Sequence, residues 1–361
     1  MNSVKRWINP EILSMQAYHV PSSSGLMKLD AMENPYDWPE ELKQKWLLEL
    51  KAVPVNRYPD PSAAALKDKL RSVMAIPDNI SIMPGNGSDE LIQIIAMAMA
   101  GPDRTFLAPE PGFVMYRIIS QMVNTAFCSV QLNPDDFSLD RNAMLAAIKE
   151  HQPALILIAC PNNPTGNLFN RETVLDVIKH APGLVVIDEA YHAFAKTSFM
   201  EYLDKFDNLL VMRTLSKSGL AGLRLGYLLG NSAWIDELDK IRLPYNINCL
   251  SQKTAEFILS HYEILTEQVK NICRDREVLY QQLSSIEGIK VWPSSANFIL
   301  FRMVGRDANR IFTGLRDRGV LIKNLHGGHP LLQNCLRVTA GTGKENTVFI
   351  DTLLQVIKKY H

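Results

Sequence analysis

Six short apolar runs, at residues 79–83, 105–108, 154–159, 184–187, 208–212 and 225–229, alternate with amphipathic stretches such as 62–74, 140–150 and 171–180. This alternation constrains the fold more than any other feature of the chain. A short run that is apolar throughout suits a strand buried on both faces. Strands of that kind separated by helices build an α/β sheet covered on both sides. Past about residue 231 the pattern changes. A long helical region over 251–285 precedes strand patterns at 289–292, 297–301, 321–323 and 336–339, with helices near 308–318 and 345–359. The expected organisation is a large α/β/α domain with a mostly parallel sheet over 41–250, and a smaller α+β domain over 251–361. Residues 1–40 are expected to pack on the small domain or on a partner subunit.

Composition removes several classes of function. Lys+Arg and Asp+Glu are equal at 38 each, so no global field draws the chain to nucleic acid or another polyanion. The 361 residues are enough for two substantial cores. The five cysteines, Cys128, Cys160, Cys249, Cys273 and Cys335, include no C-x-x-C pair. They read as reduced thiols of a cytoplasmic protein, not as a disulfide framework or a metal site. Residues 1–10 carry no apolar core behind their charges, so no secretion signal is expected, and no apolar run reaches membrane-spanning length.

The chemistry concentrates in four strings. In Arg213-Thr214-Leu215-Ser216-Lys217-Ser218-Gly219-Leu220-Ala221-Gly222-Leu223-Arg224, one lysine sits among small residues, with a hydroxyl before it and an arginine after it. A lysine that bonds to an aldehyde cofactor needs slim neighbours, desolvation to lower its pKa, and nearby phosphate-holding groups. Gly85-Asn86-Gly87-Ser88-Asp89-Glu90 follows a strand and opens a helix, where free N–H groups bind anions. Pro161-Asn162-Asn163-Pro164-Thr165-Gly166 makes a rigid loop at the carboxyl end of a strand, the place where ligands bind in open α/β sheets. The strand at 184–187 runs into Asp188, with Tyr191 just beyond. A carboxylate under a pyridine nitrogen keeps it protonated and makes the ring an electron sink. Taken singly, these strings are a surface lysine, a glycine turn, a proline turn and a helix cap. Taken together, they let Asn163, Asp188 and Lys217 line one crevice.

Asn163-Pro164-Thr165-Gly166, Asp188-Glu189-Ala190-Tyr191, Ser216-Lys217 and Arg224 resemble the signature series of fold-type I pyridoxal-phosphate aminotransferases over nearly the whole chain. Within that superfamily, 29–36, 57–61, 85–90, 220–224 and 334–339 are most similar to the histidinol-phosphate aminotransferase family. The resemblance implies that Lys217 bonds the cofactor and shuttles a proton. Asp188 would pair with the pyridine nitrogen, and Asn163 and Tyr191 with the ring oxygen. Ser88 and Asp89 through their N–H groups, with Ser216 and Arg224, would hold the cofactor phosphate. Phe113 would stack on the ring, at a position where many relatives carry tyrosine. Tyr58 would reach the cofactor of a neighbouring subunit, so a homodimer with shared sites is implied. Arg337 would bind the substrate carboxylate, since a rigid two-donor fork suits it. Lys323 would meet the substrate's own phosphate, where relatives often have arginine, and Tyr18 would close over the substrate. His326-Gly327-Gly328-His329 is expected to be a mobile, solvent-facing turn and not a metal site.

The activity implied is reversible amino transfer between L-histidinol phosphate and 2-oxoglutarate in histidine biosynthesis, in the cytoplasm. The rivals are an aromatic amino-acid aminotransferase and a phosphothreonine-type decarboxylase of the same fold. A non-catalytic ligand sensor lacks the basic recognition helix it would need.

Overall fold

The computed structural model describes residues 4–17 and 22–360. Tyr18 lies outside them. Strand β1, Met27–Lys28, precedes the large sheet. That sheet comprises β2 (Ser81–Gly85), β3 (Thr105–Glu110), β4 (Ala126–Gln131), β5 (Leu155–Ala159), β6 (Leu184–Asp188), β7 (Leu209–Thr214) and β8 (Gly226–Gly230). Their spatial order is β2-β8-β7-β6-β5-β3-β4, and only β8 runs antiparallel to its neighbours. The apolar strands owe their burial to helices on both sides. Ile156, Ile158, Val185, Ile187 and Val211 join the core on one face. Leu155, Leu157, Leu184, Val186 and Leu210 join a second core on the other. Successive residues of a strand point to opposite faces, so every position in β5 and β6 is apolar until Asp188.

The covering helices start where the sequence offers caps. Asp140 accepts from the Ala143 N–H and Asn170 from the Thr173 N–H, satisfying donors that a helix start leaves open. The large sheet thus ends with the carboxyl edges of β5, β6 and β7 side by side, carrying the loops at Cys160, Asp188 and Thr214.

A second sheet has the order β12-β13-β10-β9, built from β9 (Ile289–Val291), β10 (Phe298–Met303), β12 (Lys323–Asn324) and β13 (Cys335–Thr339). Three sequence expectations are corrected. The helical region over 251–285 is two helices, Cys249–Leu259 and Tyr262–Ser284, interrupted at Ser260 and His261. The strand expected at 321–323 is split: β11 (Val320–Leu321) pairs in parallel with β1, and β12 pairs with β13. Strand β4 went unnoticed because it is the sheet edge and half exposed, so it lacks an apolar run.

The amino-terminal segment divides its contacts. β1 joins β11, the Thr339 N–H donates to the Leu29 carbonyl, and the helix Pro10–Ser14 lies against the helix Met115–Met122.

Candidate active site

The carboxyl edges of β5, β6 and β7 open into a cavity of about 520 Å³. Ser88, Asp89, Phe113, Asn163, Asp188, Tyr191, Ser216, Lys217 and Arg224 all line it. Nine side chains from five segments of the sequence are therefore brought to one place.

Lys217 lies in a tight turn, Ser216–Leu220, directly after β7. Gly219 makes the turn possible with φ 127°, and a β-carbon there would meet Asn34 Nδ2 at 3.0 Å. Asn34 braces the same turn by donating to the Ser218 carbonyl (3.0 Å) and to Gln268 (2.8 Å). Lys217 Nζ donates to the Ala31 carbonyl at 3.3 Å. Burial lowers its pKa to about 8, and the positive field of Arg337 adds to the shift. Roughly a tenth of such an amine is neutral at pH 7, far more than of an ordinary lysine, and the neutral form is the one a nucleophile requires.

Asp188 ends β6 at 3% exposure. It accepts from the Tyr116 hydroxyl at 2.8 Å and from the Ala190 N–H at 3.0 Å. Burial nonetheless pushes its pKa up to about 6, against those two bonds. A buried carboxylate in that condition lacks a cation, and a protonated ring nitrogen supplies one. The next residue, Glu189, forms a buried ion pair with Arg213 at 2.9 Å and also accepts from Ser198 and the Phe199 N–H. Breaking such a pair by removing one partner costs on the order of 3–5 kcal/mol. It anchors the loop that carries Asp188.

The opposite end of the cavity is an anion cradle. The helix Ser88–Met99 begins at Gly87 with no side-chain cap, so its first N–H groups stay available. Arg224, in the left-handed region (φ 52°), places Nη2 at 3.1 Å from Asp89 Oδ2. Ser216 Oγ and Thr214 Oγ1 stand 2.9 Å apart on the third side. Gly226 closes the cradle from behind: a β-carbon there would lie 2.9 Å from Ser88 N. Gly226→Ala should destabilise the fold by about 1–3 kcal/mol through that overlap. It should also weaken cofactor affinity. Thermal melts and cofactor titration check both, and an unchanged affinity counts against the cradle.

A second cavity, of about 1130 Å³, adjoins the first and shares Met32, Phe113 and Asn163 with it. Arg337 and Lys323 line it. Arg337 is buried; Nη1 donates to Asn163 Oδ1 at 2.5 Å, Nη2 to the Asp30 carbonyl at 3.0 Å, and the guanidinium lies 5.1 Å from the Phe298 ring centre. Tyr191 packs edge-on against the same Phe298. The stretch 326–329 is a turn whose glycines are exposed, but its histidines do not face solvent alone. Both are half-buried and line this cavity, and their Nδ1 atoms accept from the Asn334 and Leu331 N–H groups. Among the described residues, no group of His, Cys, Asp and Glu is arranged to hold a metal ion.

Tyr58 lines neither cavity. It is 81% exposed and stacks on Tyr245 at 4.4 Å. The sequence reading missed Thr214, Met32 and above all Tyr116, whose hydroxyl holds Asp188 from a helix far off in the chain.

An amine brought to about 8, a buried carboxylate awaiting a cation, and an uncapped helix start facing a guanidinium together suit a phosphorylated pyridine aldehyde. On a helix-covered, mostly parallel sheet, that set defines a pyridoxal-phosphate enzyme of fold type I. The family profile described as aminotransferase class I and II matches residues 24–353. The chain is 54% identical to histidinol-phosphate aminotransferase 2 of Nitrosococcus oceani, with 97% of each chain covered. It is 50% identical to histidinol-phosphate aminotransferase 1 of Ralstonia nicotianae, covering 96% of this chain and 93% of that one. Among solved structures, histidinol-phosphate aminotransferase from Sinorhizobium meliloti in complex with pyridoxal-5'-phosphate superposes with a TM-score of 0.87 at 24% identity, covering 98% of both chains. The chain belongs to the class I and II aminotransferases and, within them, to the histidinol-phosphate aminotransferase family.

Proposed function

We infer that this enzyme transfers an amino group between L-histidinol phosphate and 2-oxoglutarate, giving 3-(imidazol-4-yl)-2-oxopropyl phosphate and L-glutamate in histidine biosynthesis. The observation that carries this reading is near-full-length identity of about half to relatives of that name. The second cavity supports it, because Arg337 and Lys323 offer cations to a substrate phosphate or carboxylate beside the cofactor site.

Bound pyridoxal phosphate supplies an aldehyde carbon for the amino group and a ring that takes up the electron pair left at the substrate Cα. The protein does the rest. Asp188 would keep a proton on the pyridine nitrogen, with Tyr116 fixing the carboxylate's direction. Lys217 Nζ would take the proton from the substrate Cα and hand it, across the amino nitrogen, to the carbon that the cofactor's aldehyde supplies, which demands a neutral amine. Phe113 would cover one ring face, and Asn163 and Tyr191 would meet the ring oxygen. The helix start at Ser88 and Asp89, with Ser216 and Arg224, would hold the cofactor phosphate. Arg337 orients the substrate by its carboxylate or phosphate, and Lys323 adds a second charge.

Half-reactions followed by cofactor absorbance test the substrate. Histidinol phosphate should convert the cofactor to its amine form at least ~100-fold more efficiently than phenylalanine, because an unfilled cationic pocket is penalised. Phosphothreonine should release no carbon dioxide. A preference for phenylalanine, or carbon dioxide release, would replace this reading by one of its rivals.

The working unit we propose is a cytoplasmic homodimer with shared sites. Tyr58 is exposed and remote from its own cavity, and Leu48, Val55 and Leu243 are exposed in the segments around the Tyr58–Tyr245 stack. Among the described residues, no helix is long and apolar enough to cross a membrane. Sedimentation at micromolar concentration should give twice the chain mass; a monomer with full activity would refute the shared site.

A further inference from the structure

One wall of the second cavity is made by a charged pair that none of the roles above employs. Glu110 ends β3, and Arg117 sits one turn into the helix Met115–Met122. Arg117 Nε and Nη2 donate to the two oxygens of Glu110 at 3.0 and 2.7 Å. The guanidinium also lies 4.5 Å from the Phe127 ring centre, which fixes its plane. The pairing holds the Glu110 carboxyl below its usual range despite partial burial. Among the residues that line this cavity, Glu110 is the one carboxylate, set against Arg117, Lys323 and Arg337. The loop from Glu110 to Phe113 joins the pair to the cofactor site, and Asn162 fixes that loop by donating to the Pro111 carbonyl at 3.0 Å.

A wall with a pinned carboxylate and a guanidinium side by side matches a chemical problem of this reaction. The two amino donors share the amino group at the reacting carbon, differ in the anion beside it (a phosphorylated CH2 group or a carboxylate), and differ again at the side-chain end. One ends in an imidazole, which needs an acceptor for its N–H. The other ends in a carboxylate, which needs a donor. A carboxylate wall alone would repel glutamate, and a cationic wall alone would leave the imidazole unmatched. The bonds to Glu110 use Nε and Nη2 of Arg117 and not Nη1; a carboxylate has about four acceptor sites, so with two taken by Arg117 and one by Ser129 it can still accept another bond.

We propose that Glu110 and Arg117 form the element that reads the side-chain end of both amino donors, with Glu110 accepting from the imidazole and Arg117 donating to the glutamate carboxylate. The proposal rests on the histidinol-phosphate reading given above. It makes the pair specificity-determining, since neither group touches the reacting carbon.

The test is a set of half-reactions with the holoenzyme, wild type against Glu110→Gln and Arg117→Gln. In Glu110→Gln the half-saturating concentration of histidinol phosphate should rise by about tenfold to a hundredfold, the loss of one charge-assisted bond. That of glutamate should fall, because a negative charge has left the wall. In Arg117→Gln the half-saturating concentration of glutamate should rise by a similar factor, and by more than that of histidinol phosphate. Shifts of opposite sign in Glu110→Gln support the assignment, because a merely structural role would move both substrates the same way. Parallel shifts, or none, overturn it. A wild-type enzyme that prefers phenylalanine to histidinol phosphate would instead sink the parent reading, and the imidazole half of this one with it.

Discussion

Replacing Lys217 with alanine is expected to lower turnover by at least about 10⁴-fold, with both half-reactions affected alike. The residue combines two tasks, covalent hold on the aldehyde and proton transfer at the substrate carbon, and no neighbour in the cavity offers another amine. The nearest cations, Arg337 and Arg224, are guanidinium groups and can do neither. Borohydride reduction of the wild-type holoenzyme should leave the cofactor's mass on the peptide containing Lys217. A label elsewhere, or near-normal turnover in Lys217→Ala, would refute the assignment. The lowered pKa adds a pH signature. The neutral fraction of the amine grows as pH passes about 8, so cofactor-free protein should capture added pyridoxal phosphate faster as pH rises from 7 to 9.

Asp188→Asn should slow amino transfer by on the order of 10²- to 10³-fold while leaving the fold intact. The amide fits the same space and still meets Tyr116 and the Ala190 N–H, but it cannot keep a proton on the pyridine nitrogen. The same variant should behave in the opposite sense on stability. The folded-state pKa of Asp188, about 6, lies above its ordinary 3.8 because burial disfavours the charged form. In the cofactor-free protein, the stability this group contributes is full below about pH 4 and is lost as pH rises through about 6. Asparagine never ionises and escapes that loss. Cofactor-free Asp188→Asn should therefore melt a few degrees higher than the parent at pH 8, with the gap closing toward pH 4. A lower melting temperature at pH 8 would show that the carboxylate is not strained by its burial.

Much of the fold was legible because the strands of the large sheet are buried on both faces, and unbroken apolar runs survive inspection without any alignment. β4 was not legible for the converse reason: half of its side chains are exposed, so no unbroken apolar run marks it. The interruption at Ser260 and His261 carries neither glycine nor proline, and the helical pattern runs through it. Site residues that end strands, such as Asp188, announce themselves as a charge closing an apolar run. Tyr116 does not, since a tyrosine on an amphipathic helix reads as core until its hydroxyl is seen against Asp188. The histidines at 326 and 329 misled through their glycines. A flexible-looking string became a cavity wall because each ring accepts a backbone N–H nearby.

The three residues from Asp30 to Met32 make their hydrogen bonds through the main chain. The Asp30 carbonyl takes Arg337, the Ala31 carbonyl takes Lys217, the Met32 carbonyl takes Asn297, and the Met32 N–H reaches Thr339. Their partners therefore include residues 307 positions further along the chain. During synthesis this strap emerges early and waits, unpaired, for almost the entire chain to follow. The setting of the reactive lysine is completed only when the final strand arrives, so a prematurely terminated chain can build the large sheet and still hold no competent centre.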